Sequence, residues 1–298
     1  MSEKISIDTI IEKHEASGKY IEVNGMRCFA LDQGSGEAVL CLHGVPTSSF
    51  LYRKIVPSLA EKGFRGVAID FPGLGLSDRP EDFDYSFSSF AKFTADAAEQ
   101  LGLEKYHLLI HDVGGPVGFA LAAQNLDKIL SITILNTWID VVNFKKPWPM
   151  RPFENSVLGE IELASLQHPT WQIMFNKMGV NDNSKIPKNE INAHIDILKL
   201  KDGGDAFLKL MRNFDDTEEF RKLCYKAVQD VKFPVQAVWG VDDPFLTLKE
   251  YGQEIKQVAG LSEVHELSSR HFLQEEKSME IVDKLVEIIQ LSKQMLPR

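Results

Sequence analysis

Short apolar runs bounded by turn residues alternate along this chain with segments whose apolar positions recur at helical spacing. That alternation predicts an α/β fold with a mostly parallel sheet flanked by helices. Tyr20 to Val23 and Met26 to Leu31, joined at Asn24-Gly25, read as an antiparallel hairpin that starts the sheet. The further strands are Ala38 to His43, Gly66 to Asp70, Tyr106 to His111, Ile129 to Leu135, Val235 to Trp239 and Glu263 to Leu267, making eight in all. Tyr52 to Glu61, Phe87 to Leu101, Val117 to Asn125 and Met279 to Gln294 carry helical periodicity.

Between about Trp138 and Val228 the strand rhythm stops, and the segment is richer in helical pattern with prolines at 147, 149, 152, 169 and 187. It reads as a helical cap (138–228) inserted after the sixth strand of a core made from 1–137 and 229–298. At 298 residues and 44% hydrophobic content the chain is long enough for one sizeable core plus such an insertion. Its net charge of −10 offers no basic field, which argues against nucleic acid or acidic lipid as a partner. Cys28, Cys41 and Cys224 are odd in number and widely spaced, so neither a disulfide framework nor a zinc site is expected, and a cytoplasmic location fits. The segment from Met1 to about Ser17 is charged and lacks the apolar stretch of a signal peptide. No run is apolar enough to span a bilayer: Leu108 to Ala123, the richest, is broken by His111, Asp112, two glycines and Pro116. Oligomeric state is not readable from this pattern.

The sharpest chemical signal is Ile110-His111-Asp112-Val113-Gly114-Gly115, a strand-turn-helix with the layout of a nucleophile elbow but Asp where serine hydrolases carry Ser. Such a turn raises a side chain at the carboxyl end of a central strand, where open α/β sheets bind ligands. The competing reading makes Asp112 the N-cap of the next helix. Upstream, His43-Gly44-Val45-Pro46 ends a strand in a turn suited to aiming the Val45 N–H at a developing oxyanion, with the Val113 N–H as its counterpart. Downstream, His271 follows the last strand, in the chain order nucleophile, acid, histidine. The acid is expected at Asp243, just past a strand in Gly240-Val241-Asp242-Asp243-Pro244, with Asp242 and Asp140 as alternatives.

These motifs together resemble the α/β-hydrolase superfamily and, within it, the haloalkane dehalogenase and epoxide hydrolase group. The resemblance covers the core on both sides of the cap: His43 to Arg53, Asp70 to Asp78, His111 to Gly115 and His271 to Glu275. It implies a hydrolase acting on a small organic molecule and water without metal or other cofactor. Asp112 would attack an sp³ carbon to form an ester, and carbon–halogen cleavage is the first expectation. Epoxide opening is an alternative, and a non-catalytic ligand-binding protein that kept the fold is another.

Two departures stand out. Haloalkane dehalogenases usually carry an indole after the nucleophile, and many carry an Asn in the first oxyanion turn; here those positions are Val113 and Val45, which have no side-chain donor. Trp138, Trp148 and Trp171 are the candidate replacements. Epoxide hydrolases of the group protonate the epoxide oxygen with cap tyrosines, yet the only tyrosine of the cap, Tyr225, sits near its end, leaving His168 or His194 as alternative donors. Fluoroacetate dehalogenases are similar too, through His168 and Trp171, but Pro116 and Val117 stand where they carry carboxylate-gripping arginines. Phe144, Trp148, Trp171, Phe175 and Phe207 are candidates to line the substrate pocket.

Overall fold

A computed structural model describes residues 5–295. Its centre is one eight-stranded sheet: β1 (Lys19–Val23), β2 (Met26–Gln33), β3 (Ala38–Leu42), β4 (Arg65–Ile69), β5 (Tyr106–Ile110), β6 (Ile129–Ile134), β7 (Val235–Gly240) and β8 (His265–Leu267), in the order β1-β2-β4-β3-β5-β6-β7-β8. β1 and β2 pair antiparallel, as do β2 and β4, and every later pairing is parallel. The hairpin forms because Asn24 and Gly25 both take positive φ, matching the twist of the strands they join. β3 and β5 are buried at every position, and their unbroken apolar runs are what a strand covered on both faces requires.

The helices are α1 (Ile7–Ala16), α2 (Ile55–Glu61), α3 (Phe87–Gln100), α4 (Gly114–Gln124), α5 (Ser156–Ser165), α6 (His168–Met174), α7 (Lys188–Leu198), α8 (Asp205–Met211), α9 (Glu218–Lys226), α10 (Gln253–Val258), α11 (Leu273–Glu276) and α12 (Ser278–Met295). Five of them, α5 to α9, lie between β6 and β7, the interval in which the sequence shows no strand pattern. The expected strands all form, with ends shifted by a residue or two. α4 starts at Gly114, three residues before the periodic stretch: the early helical turn is hidden in the sequence behind two glycines and a proline. α2 starts three residues later than its periodicity suggests because Ser48 caps a separate 3₁₀ turn, Ser49–Tyr52, first.

The reading of the N-terminal segment falls partly on residues 1–4, outside the described residues. From Ile7 the chain forms α1, which periodicity had not signalled. Ser6 caps it by accepting the Thr9 N–H at 3.1 Å, and Ile7, Ile10 and Ile11 pack it on Phe50, Ala193 and Ile197. No helix among the described residues is long and apolar enough to cross a membrane, and no cluster of His, Cys, Asp and Glu among them could hold a metal ion.

Candidate active site

The turn between β5 and α4 holds Asp112 at φ 51°, a left-handed conformation that costs a non-glycine residue of order 1–3 kcal/mol and persists only where its surroundings enforce it. Here they do. The Asp112 N–H donates to the Asn136 carbonyl at 2.9 Å, and its own carbonyl accepts from the Gly115 N–H at 2.8 Å and the Thr137 hydroxyl at 2.6 Å. Gly114 passes so close to the Leu42 carbonyl that a methyl group there would overlap it. The carboxylate is not spent on capping α4: Val113 occupies the cap position, and Asp112 Oδ1 instead accepts the Val45 N–H at 2.8 Å from the turn after β3. Gly44 makes that approach available, since any Cβ on it would collide with the Asp112 side chain.

His271, between β8 and α11, brings Nε2 to 3.6 Å from Asp112 Oδ2 and Nδ1 to 2.8 Å from Asp243 Oδ2. Asp243 is fully buried and saturated with donors: Oδ1 accepts the N–H groups of Phe245 and Leu246 at 2.9 and 3.1 Å, and Oδ2 also accepts the Asn136 amide at 3.0 Å. Of the alternative acids, Asp242 faces outward to the Asn181 amide and the Ser268 hydroxyl. Asp140 closes its own turn by accepting the Val142 and Asn143 N–H groups, and pairs with Arg221. Neither reaches His271.

The environment sets the charges. Burial raises the Asp112 carboxyl above its ordinary range, opposed by the His271 charge and the N–H groups of Val113 and Val45. Burial also works against the charged form of His271, but the neighbouring Asp243 carboxylate, its hydrogen bond and then Asp112 outweigh it, so the imidazole is raised above 6.5. Asp243 is lowered: burial pulls it upward, and the His271 charge and hydrogen bond with the Phe245 and Leu246 N–H groups overcome that pull.

Three supporting residues were given no role of their own by the sequence, although His111 and Glu275 fall within the motifs that carry the resemblance. Asn136 ties the Asp112 turn to Asp243, accepting the Gly240 N–H at 2.7 Å while donating to Asp243. His111, buried beneath the site, donates Nε2–H to the His271 carbonyl at 2.9 Å, because a carbonyl can only accept; burial holds this ring far below the usual histidine range and so neutral. Glu275, four residues after His271 and within α11, accepts Arg53 at 2.6 and 2.8 Å, Lys54 at 3.0 Å and His194 of α7 at 3.0 Å, which anchors that helix. For Asn136 the available hint was its position just after β6, since site residues gather at the carboxyl ends of strands.

Asp112, His271, Val45 and Val113 open into a cavity of about 80 Å³ walled almost entirely by Trp138, Phe144, Trp171, Phe175, Phe214, Phe245, Phe272 and four methionines. At about 10–15 Å³ per water-sized centre, that is room for roughly half a dozen non-hydrogen atoms. Of the other expected pocket residues, Trp171 and Phe175 are on this wall, while Phe207 packs edge-on against Phe153 elsewhere. Trp148 is 72% exposed and off the wall, although the prolines on either side of it, Pro147 and Pro149, line the cavity. His168 is off it too: it opens α6, half exposed, and pairs with Asp196 at 2.6 Å.

Of the indole donors, Trp171 spends its N–H on the Ile191 carbonyl at 2.6 Å. Trp138 is buried, stacked on Phe144 at 3.9 Å, and its Nε1 has no partner. The wall's one further charged group is Lys146, which sequence reading did not single out.

Comparison with known proteins accords with this architecture. Residues 37–278 match the family model described as alpha/beta hydrolase fold. Haloalkane dehalogenase 2 of Mycobacterium tuberculosis is 39% identical over 112 residues, a match spanning 38% of this chain and 39% of that protein. The haloalkane dehalogenase of Mycolicibacterium paratuberculosis is 24% identical over 293 residues, 93% of each chain. Among solved structures, Bacillus megaterium epoxide hydrolase superposes with a TM-score of 0.73 at 22% identity, covering 91% of this chain and all of that one. With four-fifths of its length inside the family model and the sheet order that supports it, the chain belongs to the α/β-hydrolase fold family.

Proposed function

We propose that this protein hydrolyses small halogenated organic molecules at an sp³ carbon through an ester of Asp112, with 138–228 acting as a cap over a core of 1–137 and 229–298. The observation that carries the reading is the pairing of the Asp112 carboxyl group with an imidazole 3.6 Å away that is backed by a second carboxylate. A carboxylate attacking an ester carbonyl would give a high-energy anhydride; attack on a saturated carbon gives a stable ester.

In the first step Asp112 Oδ2 forms a bond to the substrate carbon as the carbon–halogen bond breaks, and the halide leaves with the bonding electrons. The 3.6 Å gap to His271 exceeds a hydrogen bond and leaves Oδ2 free to attack. The donor we assign to the departing halide is the Trp138 indole. Trp138 lines the cavity and its N–H is not taken up by any hydrogen bond within the protein, so it is available to an anion there. In the second step water attacks the Asp112 carboxyl carbon and gives a proton to His271 Nε2. The negative charge then collects on Oδ1, which the Val45 N–H already holds at 2.8 Å. Collapse expels the alkoxide, which takes the proton back from His271 and leaves as the alcohol, and the Asp112 carboxyl group, now carrying the water oxygen, releases the remaining proton.

The charge balance suits this order of events. Ionised Asp112 helps hold the His271 pKa up. Esterification removes that charge, so the imidazole becomes easier to find neutral in the step that needs it as a base. Epoxide opening is less well supported, because the wall offers no phenol among the described residues and His168 and His194 are engaged with Asp196 and Glu275.

The test is multiple turnover of a short bromoalkane in ¹⁸O-labelled water. Halide release with label entering the Asp112 peptide is the expected result. Halide release without label there would remove the ester mechanism. Diol formation from epoxides with no halide release would replace the substrate class, and ligand binding with neither would leave a non-catalytic protein.

A further inference from the structure

Lys146 is the one ammonium on a wall that is otherwise apolar apart from Asp112 and His271, and no step of the reaction just described uses it. Its Nζ lies 4.0 Å from the Phe214 ring centroid and 2.8 Å from Glu154 Oε1. Both Lys146 and Phe214 line the catalytic cavity and also an adjoining, more polar recess whose other charged groups are Lys145, Arg151, Glu154, Asp215 and Asp216, so Lys146 stands where the two spaces meet and is the charged residue common to both. The Lys146 side chain is only 13% exposed, but Glu154 is 48% exposed. A carboxylate with that much water around it gains little from the ion pair, so another anion can displace it at small cost. A substrate anion arriving from the cavity side would meet the same ammonium in a drier, lower-dielectric setting, where the attraction is stronger.

We propose that Lys146 is an anion-recognition site at the mouth of the cavity, and that the protein takes short halogenated carboxylates, with the carboxylate on Lys146 and the halogen-bearing carbon toward Asp112. The substrate class rests on the reading of Asp112 as nucleophile; the anion site does not. The apolar wall between the two ends suits a short methylene chain, and a cavity of about 80 Å³ favours a small molecule. An anionic substrate needs such a cation, because Asp112 repels it and nothing else on the wall carries positive charge besides a protonated His271.

Binding and turnover separate the two claims. Calorimetric titration of the wild type should show butanoate, which has no leaving group, binding more tightly than 1-butanol by about tenfold or more. Lys146→Met should erase that preference, and Glu154→Gln should strengthen it by freeing the ammonium. In turnover, Lys146→Met should lower the ratio of kcat/KM for 4-bromobutanoate over 1-bromobutane by a similar factor. Equal binding of butanoate and butanol, or a preference that survives Lys146→Met, overturns the anion site. A preference for butanoate that Lys146→Met removes, together with no bromide from either bromide-bearing substrate, upholds the anion site and refutes the dehalogenating chemistry.

Discussion

Replacing Asp243 with Asn tests the division of labour between the two carboxylates. The Asp243 carboxylate receives four donors: the Phe245 and Leu246 N–H groups on Oδ1, and the Asn136 amide and His271 Nδ1 on Oδ2. The oxygen of the new amide must take the Oδ1 place, where two backbone donors wait. Its NH₂ then faces His271 and the Asn136 amide together. Asn136 cannot turn to accept it, because its own oxygen holds the Gly240 N–H at 2.7 Å.

His271 is therefore forced to leave Nδ1 bare and to carry its proton on Nε2, the nitrogen that must accept one from water. The imidazolium also loses a buried charge whose attraction, at an effective dielectric near 20, is about 4 kcal/mol at 4 Å. Hydrolysis of the Asp112 ester should slow by roughly 10³- to 10⁴-fold, while its formation, which needs only Asp112, stays within about tenfold. Quenched-flow measurement with a bromoalkane should then show one equivalent of bromide per enzyme followed by a stall. Mass spectrometry should find the alkyl group on the Asp112 peptide. Steady release without a burst, or a stalled enzyme with an unmodified Asp112 peptide, would refute the assignment.

Trp138→Phe keeps the stack on Phe144 but removes an N–H that no protein acceptor uses. The variant should hold its denaturation midpoint yet form the ester roughly ten- to a hundredfold more slowly, and unchanged single-turnover bromide release would reject the indole as halide donor. Glu275→Gln removes the buried carboxylate shared by Arg53, Lys54 and His194 and leaves Arg53 only the part-exposed Glu190, so the free energy of unfolding should fall by about 1–3 kcal/mol in urea, and a loss under about 0.5 would show the carboxylate to be dispensable. For pH dependence the sign follows from His271: its folded-state pKa is raised above 6.5, and it must be neutral to act as base, so ester hydrolysis should increase with pH through that value. Because esterified Asp112 no longer adds to the shift, the midpoint from kcat should lie below that from NMR titration of His271 in the free enzyme; a midpoint at or above the free-enzyme value would contradict the charge balance.

The sequence by itself determined the sheet and the positions of Asp112, Asp243 and His271 just past strand ends. Buried parallel strands must be apolar runs, so β3, β5 and β6 are visible without coordinates, and Asn24-Gly25 marks the hairpin because both residues tolerate positive φ. The elbow and the downstream Asp and His are equally visible, since a strained turn at a strand end demands a narrow set of residues. Only tertiary structure decided what each polar group could still do. Asp242 and Asp243 are adjacent in the chain, yet one faces solvent and the other His271, because the bend after β7 turns successive side chains opposite ways. Three tryptophans offer the same N–H in the sequence. Trp171 spends it on a carbonyl twenty residues away, Trp148 is at the surface, and Trp138 keeps it free. Lys146, one of many lysines, differs from the rest only because the fold carries it to the cavity wall. Periodicity reports which face of an element is buried; hydrogen-bond availability depends on partners distant in the chain, which no local pattern encodes.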